Sequence, residues 1–174
     1  MVVHDKDLEI YSRLSQISYS ELMKVYLDSN KQVGAKRFAH LDEVEQLIEA
    51  EQEFFAYIEF FLKEESSLYA VLLDQGHYLC CVRVEKYKDG VLLTGLETAP
   101  NERNKGYASE LLLRLEDYLS SIGVYAIYSH VSSGNLPSIR VHEKCKYLKI
   151  SDYAAYIDGS IDPKGFTLKK ECRH

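Results

Sequence analysis

The chain contains no apolar run approaching the ~20 residues that span a bilayer. Its first residues, Met1 to Arg13, show no basic start followed by an apolar stretch. Neither a membrane partner nor a secretory signal is expected, and the expected location is cytoplasmic. Cysteine is scarce and wrongly spaced for chemistry: Cys80, Cys81, Cys145 and Cys172 form no C-x-x-C pair and no zinc pattern. They read as free packing thiols, with the adjacent Cys80 and Cys81 on opposite faces of a strand. No metal site is expected. Proline occurs only at 100, 137 and 163, and no repeat, low-complexity tract or linker interrupts the chain. The 174 residues, 46% of them hydrophobic and 28% charged, read as one globular domain, 1–174. A chain of this size buries a core without disulfides or metal.

Excess positive charge is also missing. The net charge of −6 argues against a nucleic-acid partner. The charge is unevenly spread: residues 1–100 carry 10 Lys/Arg against 18 Asp/Glu, and residues 101–150 carry 7 against 5. An acidic half beside a locally basic segment fits a cationic substrate and an anionic cofactor. Solvated faces of no further meaning fit it equally well.

Periodicity sets the order of elements. A strand is expected over 8–15, then a helix from Ser18 or Ser20 through residues 21–30. A long amphipathic helix covers 41–63, with a stripe of Leu41, Val44, Leu47, Ile48, Phe54, Phe55, Ile58, Phe61 and Leu62. Glu51 falls inside that stripe, at a cleft or at the end of a buried patch. Strands follow at 68–74, 77–87 and 91–98, turning at Gln75-Gly76 and at Lys88-Asp89-Gly90, where Asp-Gly is a hairpin signal. Gly95 within the third of these marks a bulge. A helix over 105–122 ends at Gly123, where a left-handed cap belongs. A strand at 124–131, a helix from Asn135 to Cys145 and strands at 147–157 and 164–170 complete a three-layer α/β arrangement.

Chemistry concentrates in Leu-Glu-Thr-Ala-Pro-Asn-Glu-Arg-Asn-Lys-Gly-Tyr-Ala, residues 96–108. A strand ends at Thr98, a tight loop follows, and a helix opens near Gly106. Its first amides have no internal partner and the helix dipole adds positive potential, which suits a pyrophosphate. Gly106 and Ala108 are small enough for a phosphate to reach the backbone. No Walker loop G-x-x-x-x-G-K-[ST] and no G-x-G-x-x-G fingerprint occurs.

These residues resemble the signature of the GCN5-related N-acetyltransferase (GNAT) family, [Q/R]-x-x-G-x-[G/A], which Arg103, Gly106 and Ala108 match. A second segment is similar to the family's Asn, small residue and aromatic-Glu-Lys pattern: Asn135, Ser138, His142-Glu143-Lys144 and Tyr147. The resemblance is clear over 91–157 and looser over 1–90. It implies a mixed, mostly antiparallel sheet with splayed fourth and fifth strands and helices on both faces. It also implies acetyl-CoA as acyl donor and an amine as acceptor. Leu96, Thr98, Arg103, Asn104, Lys105, Gly106, Tyr107, Ala108, Asn135 and Ser138 would then hold the cofactor. The pantetheine arm would lie along Leu96–Thr98, and Lys144 with Arg103 and Lys105 would meet the nucleotide end. A homodimer is compatible with the family.

Three departures stand out. Asn104 replaces a frequent glycine but tolerates a left-handed backbone. Lys146 replaces the glycine before the aromatic residue and is expected to strain the helix end. His142 occupies the place of a tyrosine that protonates the departing sulfur in many members. Transfer requires a neutral amine, although lysine-like amines have a pKa near ~10.4, so a base is needed. His130, at a position where some relatives carry a catalytic carboxylate, and Glu97, beside the cofactor loop, are the candidates, with His142 as acid or base. Each also has a plain structural reading. The expected activity is acetyl transfer to a small, cationic primary amine; the alternative is a non-catalytic acetyl-CoA-binding or sensing module.

Overall fold

Cys80 and Cys81 are both completely buried, one on each face of the central sheet. Adjacent strand residues point opposite ways, so both faces must be covered, and in the computed structural model they are. The structure describes residues 6–172; the stretch read above for a signal starts at residues 1–5, outside them. Strands β1 (Asp7–Tyr11), β2 (Leu68–Asp74), β3 (His77–Tyr87), β4 (Gly90–Thr98), β5 (Ala126–Ser132), β6 (Leu148–Ser151) and β9 (Gly165–Glu171) form a sheet in the order β1-β2-β3-β4-β5-β9-β6. Every pairing is antiparallel except β4 with β5. A small hairpin of β7 (Ala154–Ala155) and β8 (Ile161–Asp162) lies beside it.

Helix α4 (Tyr107–Ser121) covers one face with Leu111, Leu112, Leu115 and Leu119, all buried. It ends at Gly123 with φ +85°, where Val124 N–H reaches the Leu119 carbonyl at 2.9 Å, the expected left-handed stop. The opposite face carries α1 (Tyr19–Val25), α2 (Leu27–Arg37) and α3 (Glu43–Phe61). Helix α5 (Leu136–Lys144) follows β5. Among the described residues no helix is long and apolar enough to cross a membrane.

Several expectations need correction. The strand expected over 8–15 stops at Tyr11, and a 3-10 turn, Leu14–Gln16, takes its second half. The single helix expected after Ser18 is two, separated by Tyr26, which leaves helical geometry at φ −93°, ψ 18°. The fully buried residues of the α3 stripe, Ile58 and Phe61, lie in its second half, whereas Val44 is 69% and Ile48 47% exposed. The first half lies on α2, with Gly34 close against the Gln46 backbone, and Arg37 of α2 pairs with Glu53 further along at 2.6 Å. Glu51 is half-buried and accepts from the Tyr19 hydroxyl at 3.4 Å.

The β3–β4 turn is Lys88-Asp89, the first two of the three residues expected, with the positive φ on Lys88. Gly90 is the first residue of β4, opposite Tyr87, and only glycine fits there, since a Cβ would lie 1.9 Å from the Ala126 carbonyl oxygen. Gly90→Ala must push β4 away from β5. It should lower the unfolding free energy by about 3 kcal/mol, the upper end for overpacking, read as an earlier urea midpoint at unchanged slope. A midpoint within error of the parent would show that the two strands can separate freely here.

Candidate acyl-transfer site

The sheet opens where β4 and β5 part. They pair in parallel only at Val91–Leu93 with Ile127–Ser129. Beyond that β5 stays bound to β9 as far as Ser132 opposite Gly165, and β4 stays bound to β3 as far as Thr98 opposite Cys80. Residues 94–98 of β4 thus face a gap, and all five are only half-buried. The expected bulge creates their geometry. Between Cys81 opposite Glu97 and Arg83 opposite Thr94, β4 carries one residue more than β3. Gly95 takes φ +62° there, and its carbonyl accepts from the Tyr26 hydroxyl at 2.6 Å. The shift turns Leu96 toward α4 and Glu97 toward α1–α3.

The loop after β4 makes a 3-10 turn at Pro100–Glu102 and then alternates its backbone. Asn104 is left-handed at φ +64° and Gly106 at φ +87°. Gly106 is the N-cap of α4, no side chain caps that end, and a Cβ on it would meet nothing within 4 Å. The first amides of α4 therefore face open space, with Tyr107 and Ala108 half-buried behind them. Arg103 is already engaged: its guanidinium pairs with Asp28 of α2 at 2.7 Å and donates to the Thr98 carbonyl at 3.3 Å. Lys105 pairs with Glu102 at 2.8 Å. Thr98 Oγ1 turns inward to Cys80 Sγ at 3.3 Å.

Glu97 is half-buried and accepts from Ser29 Oγ of α2 at 2.5 Å. Burial pushes its carboxyl above the ordinary glutamate range, only partly offset by Ser29, Arg103 and Arg83. His130 lies further along β5, edge-on to Tyr87 at 5.5 Å and to Tyr156 at 4.7 Å. Neither ring nitrogen has a hydrogen-bond partner. Burial, then Lys88, holds its pKa below 6.5, so the ring is neutral at pH 7. The Tyr87 hydroxyl donates to the Ala155 carbonyl, which fastens the β7–β8 hairpin beside this histidine.

The second motif is placed on α5. Asn135 caps the helix, accepting from Ser138 N–H at 3.1 Å. His142 is 1% exposed; its Nδ1 donates to the Ser138 carbonyl at 2.8 Å and its ring stands edge-on to Tyr147 at 5.0 Å. Nε2 is buried without a partner. Burial lowers its pKa, against the pull of the Ser138 carbonyl. Lys146 adopts φ +67° after the helix, the strain anticipated for a non-glycine there, worth about 1–2 kcal/mol. Lys144 ends the helix.

Three residues on the Glu97 face escaped the sequence. Arg83 and Glu85 of β3 and Tyr57 of α3 gather there, with the Arg83 guanidinium 5.2 Å from the Tyr57 ring. In Val-Arg-Val-Glu-Lys-Tyr the alternation looks like a strand with one solvent face, and only knowing that α3 packs over it would reveal otherwise. Among the described residues no group of three His, Cys, Asp or Glu stands close enough to hold a metal ion.

Comparison with known proteins accords with this geometry. The sequence model of the acetyltransferase (GNAT) family matches residues 35–147, which contain both motifs and the opening between β4 and β5. No curated protein matches the chain. Solved structures do. One is the PaiA N-acetyltransferase from Thermoplasma acidophilum in complex with coenzyme A, with TM-score 0.65, 14% identity, and coverage of 95% of this chain and 99% of that one. The ribosomal-protein-S18-alanine N-acetyltransferase from Escherichia coli gives TM-score 0.60 at 18% identity, covering 97% and 96%. An aminoglycoside 6'-acetyltransferase type Ii gives 0.63 at 14%, covering 97% and 98%. At these identities the structures testify to the fold, and the family match over most of the chain testifies to descent: the chain belongs to the GNAT family of acetyltransferases.

Proposed function

We propose that the protein transfers an acetyl group from acetyl-CoA to the primary amine of a small, cationic acceptor. One observation carries this reading: an unpaired stretch of β4 leads directly into an uncapped helix N-terminus with open space around Gly106. The opening accepts an extended arm, and the helix end accepts phosphates. The residues of the chain therefore fit acetyl-CoA. Gly106, Tyr107 and Ala108 supply amides, Leu96 and Thr98 flank the arm, and Arg103, Asn104 and Lys105 border the phosphates. Asn135 and Ser138 shape the far side.

Acetyl-CoA, when bound, supplies a thioester carbonyl for attack. Glu97 sits at the edge of the gap, and a carboxyl with a raised pKa suits acceptance of the amine's proton. His130, neutral and unpartnered, is the second group able to take it. With Nδ1 donating to Ser138, neutral His142 presents a lone pair at Nε2. It gives a proton to the sulfur only after gaining one there, which burial opposes.

Cationic amines are favoured by the carboxylates on this side of the sheet. Glu85 and Glu97 are both half-buried, and α3 adds Glu43, Glu45, Glu49 and Glu51, besides Glu53 and Glu59, which pair with Arg37 and Lys63. A negative wall speeds the encounter of cations. The test compares cationic, neutral and anionic amines by thiol release. Cationic acceptors should lead, and their kcat/KM should fall as ionic strength rises from ~0.1 M to ~1 M and the Debye length shrinks from ~10 Å to ~3 Å. A neutral or anionic favourite, or no salt effect, would reduce the acidic half to a solvated surface.

A further inference from the structure

Arg83 is charged at every working pH, yet it makes no ion pair among the described residues. Its Nε is buried without a hydrogen bond. Its planar head lies on the bulge itself: a Cβ on Gly95 would come within 2.6–2.7 Å of Nη2, Cζ and Nη1. Tyr57 stands 5.2 Å away, the neutral phenols of Tyr26 and Tyr69 are close neighbours, and burial opposes the charge. The Tyr69 hydroxyl is likewise buried without a well-formed hydrogen bond. Tyrosines moderate the desolvation of a guanidinium, but they are not a counter-ion. Glu85 and Glu97 both feel the field of Arg83, and neither closes on it. A fixed cation therefore stands in the field of two half-buried carboxyls on the acceptor side of the bulge, and neither of them forms an ion pair with it.

We infer that Arg83 seats a carboxylate of the acceptor, so the substrate is a basic amino acid, cationic overall, that brings its own counter-ion for the guanidinium. The guanidinium forks onto the carboxylate oxygens, and the amine of the same molecule is left beside Glu97 at the gap. The two opposite fields side by side complement a zwitterion better than a simple polyamine. This inference rests on the acetyl-transfer reading and names the substrate class for it.

The test pairs L-lysine, L-ornithine and L-arginine, each still a cation overall, with their C-terminal carboxamides. The parent protein should favour each carboxylate by about 10-fold or more in kcat/KM, as expected for one charge-assisted pair. Arg83→Gln should erase that preference through KM while sparing the carboxamides and the KM for acetyl-CoA. Arg83→Lys, which keeps the charge without the fork, should keep part of it. Equal use of carboxylate and carboxamide by the parent overturns the inference even if neither variant folds. An equal loss for both in Arg83→Gln does so too, since a merely structural arginine would act that way. Thermal shift gives a readout independent of turnover: lysine, and not lysinamide, should raise the melting temperature of the parent. If no amine is acetylated, the transfer reading fails, and the shift alone decides the role of Arg83.

Discussion

Gly106→Glu should abolish acetyl-CoA binding, weakening it by about 10²-fold or more. Two effects act together. The carboxylate would project from the N-cap into the open space where phosphates meet the α4 amides, and charge-assisted hydrogen bonds of roughly 1.5–3 kcal/mol each would be lost. Like charges would also repel. The φ of +87° adds strain of about 1–2 kcal/mol in any non-glycine. Gly106→Ala carries that strain without the anion and should bind acetyl-CoA with a modest loss. Calorimetry on both variants, with thermal melting to check the fold, separates charge from strain. Full affinity in the glutamate variant would move the phosphates elsewhere.

Glu97→Gln should lower kcat by about 10²–10⁴-fold, the usual contribution of a positioned base, with acetyl-CoA affinity unchanged. The pH profile makes the assignment specific. A base works when deprotonated, so the rate falls as pH drops through its pKa. Burial raises the carboxyl of Glu97, and that acidic limb should lie above the ordinary glutamate value of about 4.3. The limb should disappear in the glutamine variant. A parent-like rate in Glu97→Gln would transfer the role to His130, whose lowered pKa places its own limb below 6.5.

Much of this architecture is visible in the sequence because local rules and global packing agree. Leucines at helical spacing define the buried side of α4, and Gly95, Gly123 and Asn104 mark backbone conformations that few residues tolerate. The phosphate loop is legible for the same reason, since its chemistry lies in contiguous residues. What stayed hidden depends on contacts distant in sequence. The close approach of Gly90 to the Ala126 carbonyl, which leaves no room for a Cβ, joins positions 36 apart and is invisible to turn propensities. Val44 and Ile48 in the first half of the α3 stripe are exposed, and that half lies on α2. Arg83 reads as a solvent-facing strand residue, and only the folding of Tyr26 and Tyr57 over the bulge makes it a desolvated cation. The candidate base shows the same limit: Glu97 was legible as an acid beside the loop, whereas its Ser29 partner and its burial come from α2.

The most direct measurement follows an isotopically labelled acetyl group. The protein is mixed with acetyl-CoA carrying the label and with L-lysine, and free thiol and product mass are read together. The account predicts label on an amine nitrogen of lysine, with one thiol released per label transferred, and neither product in Gly106→Glu. Tight binding of acetyl-CoA by the parent, with no thiol release across the amine panel and no labelled amine, would contradict it and leave a module that binds acetyl-CoA without turning it over.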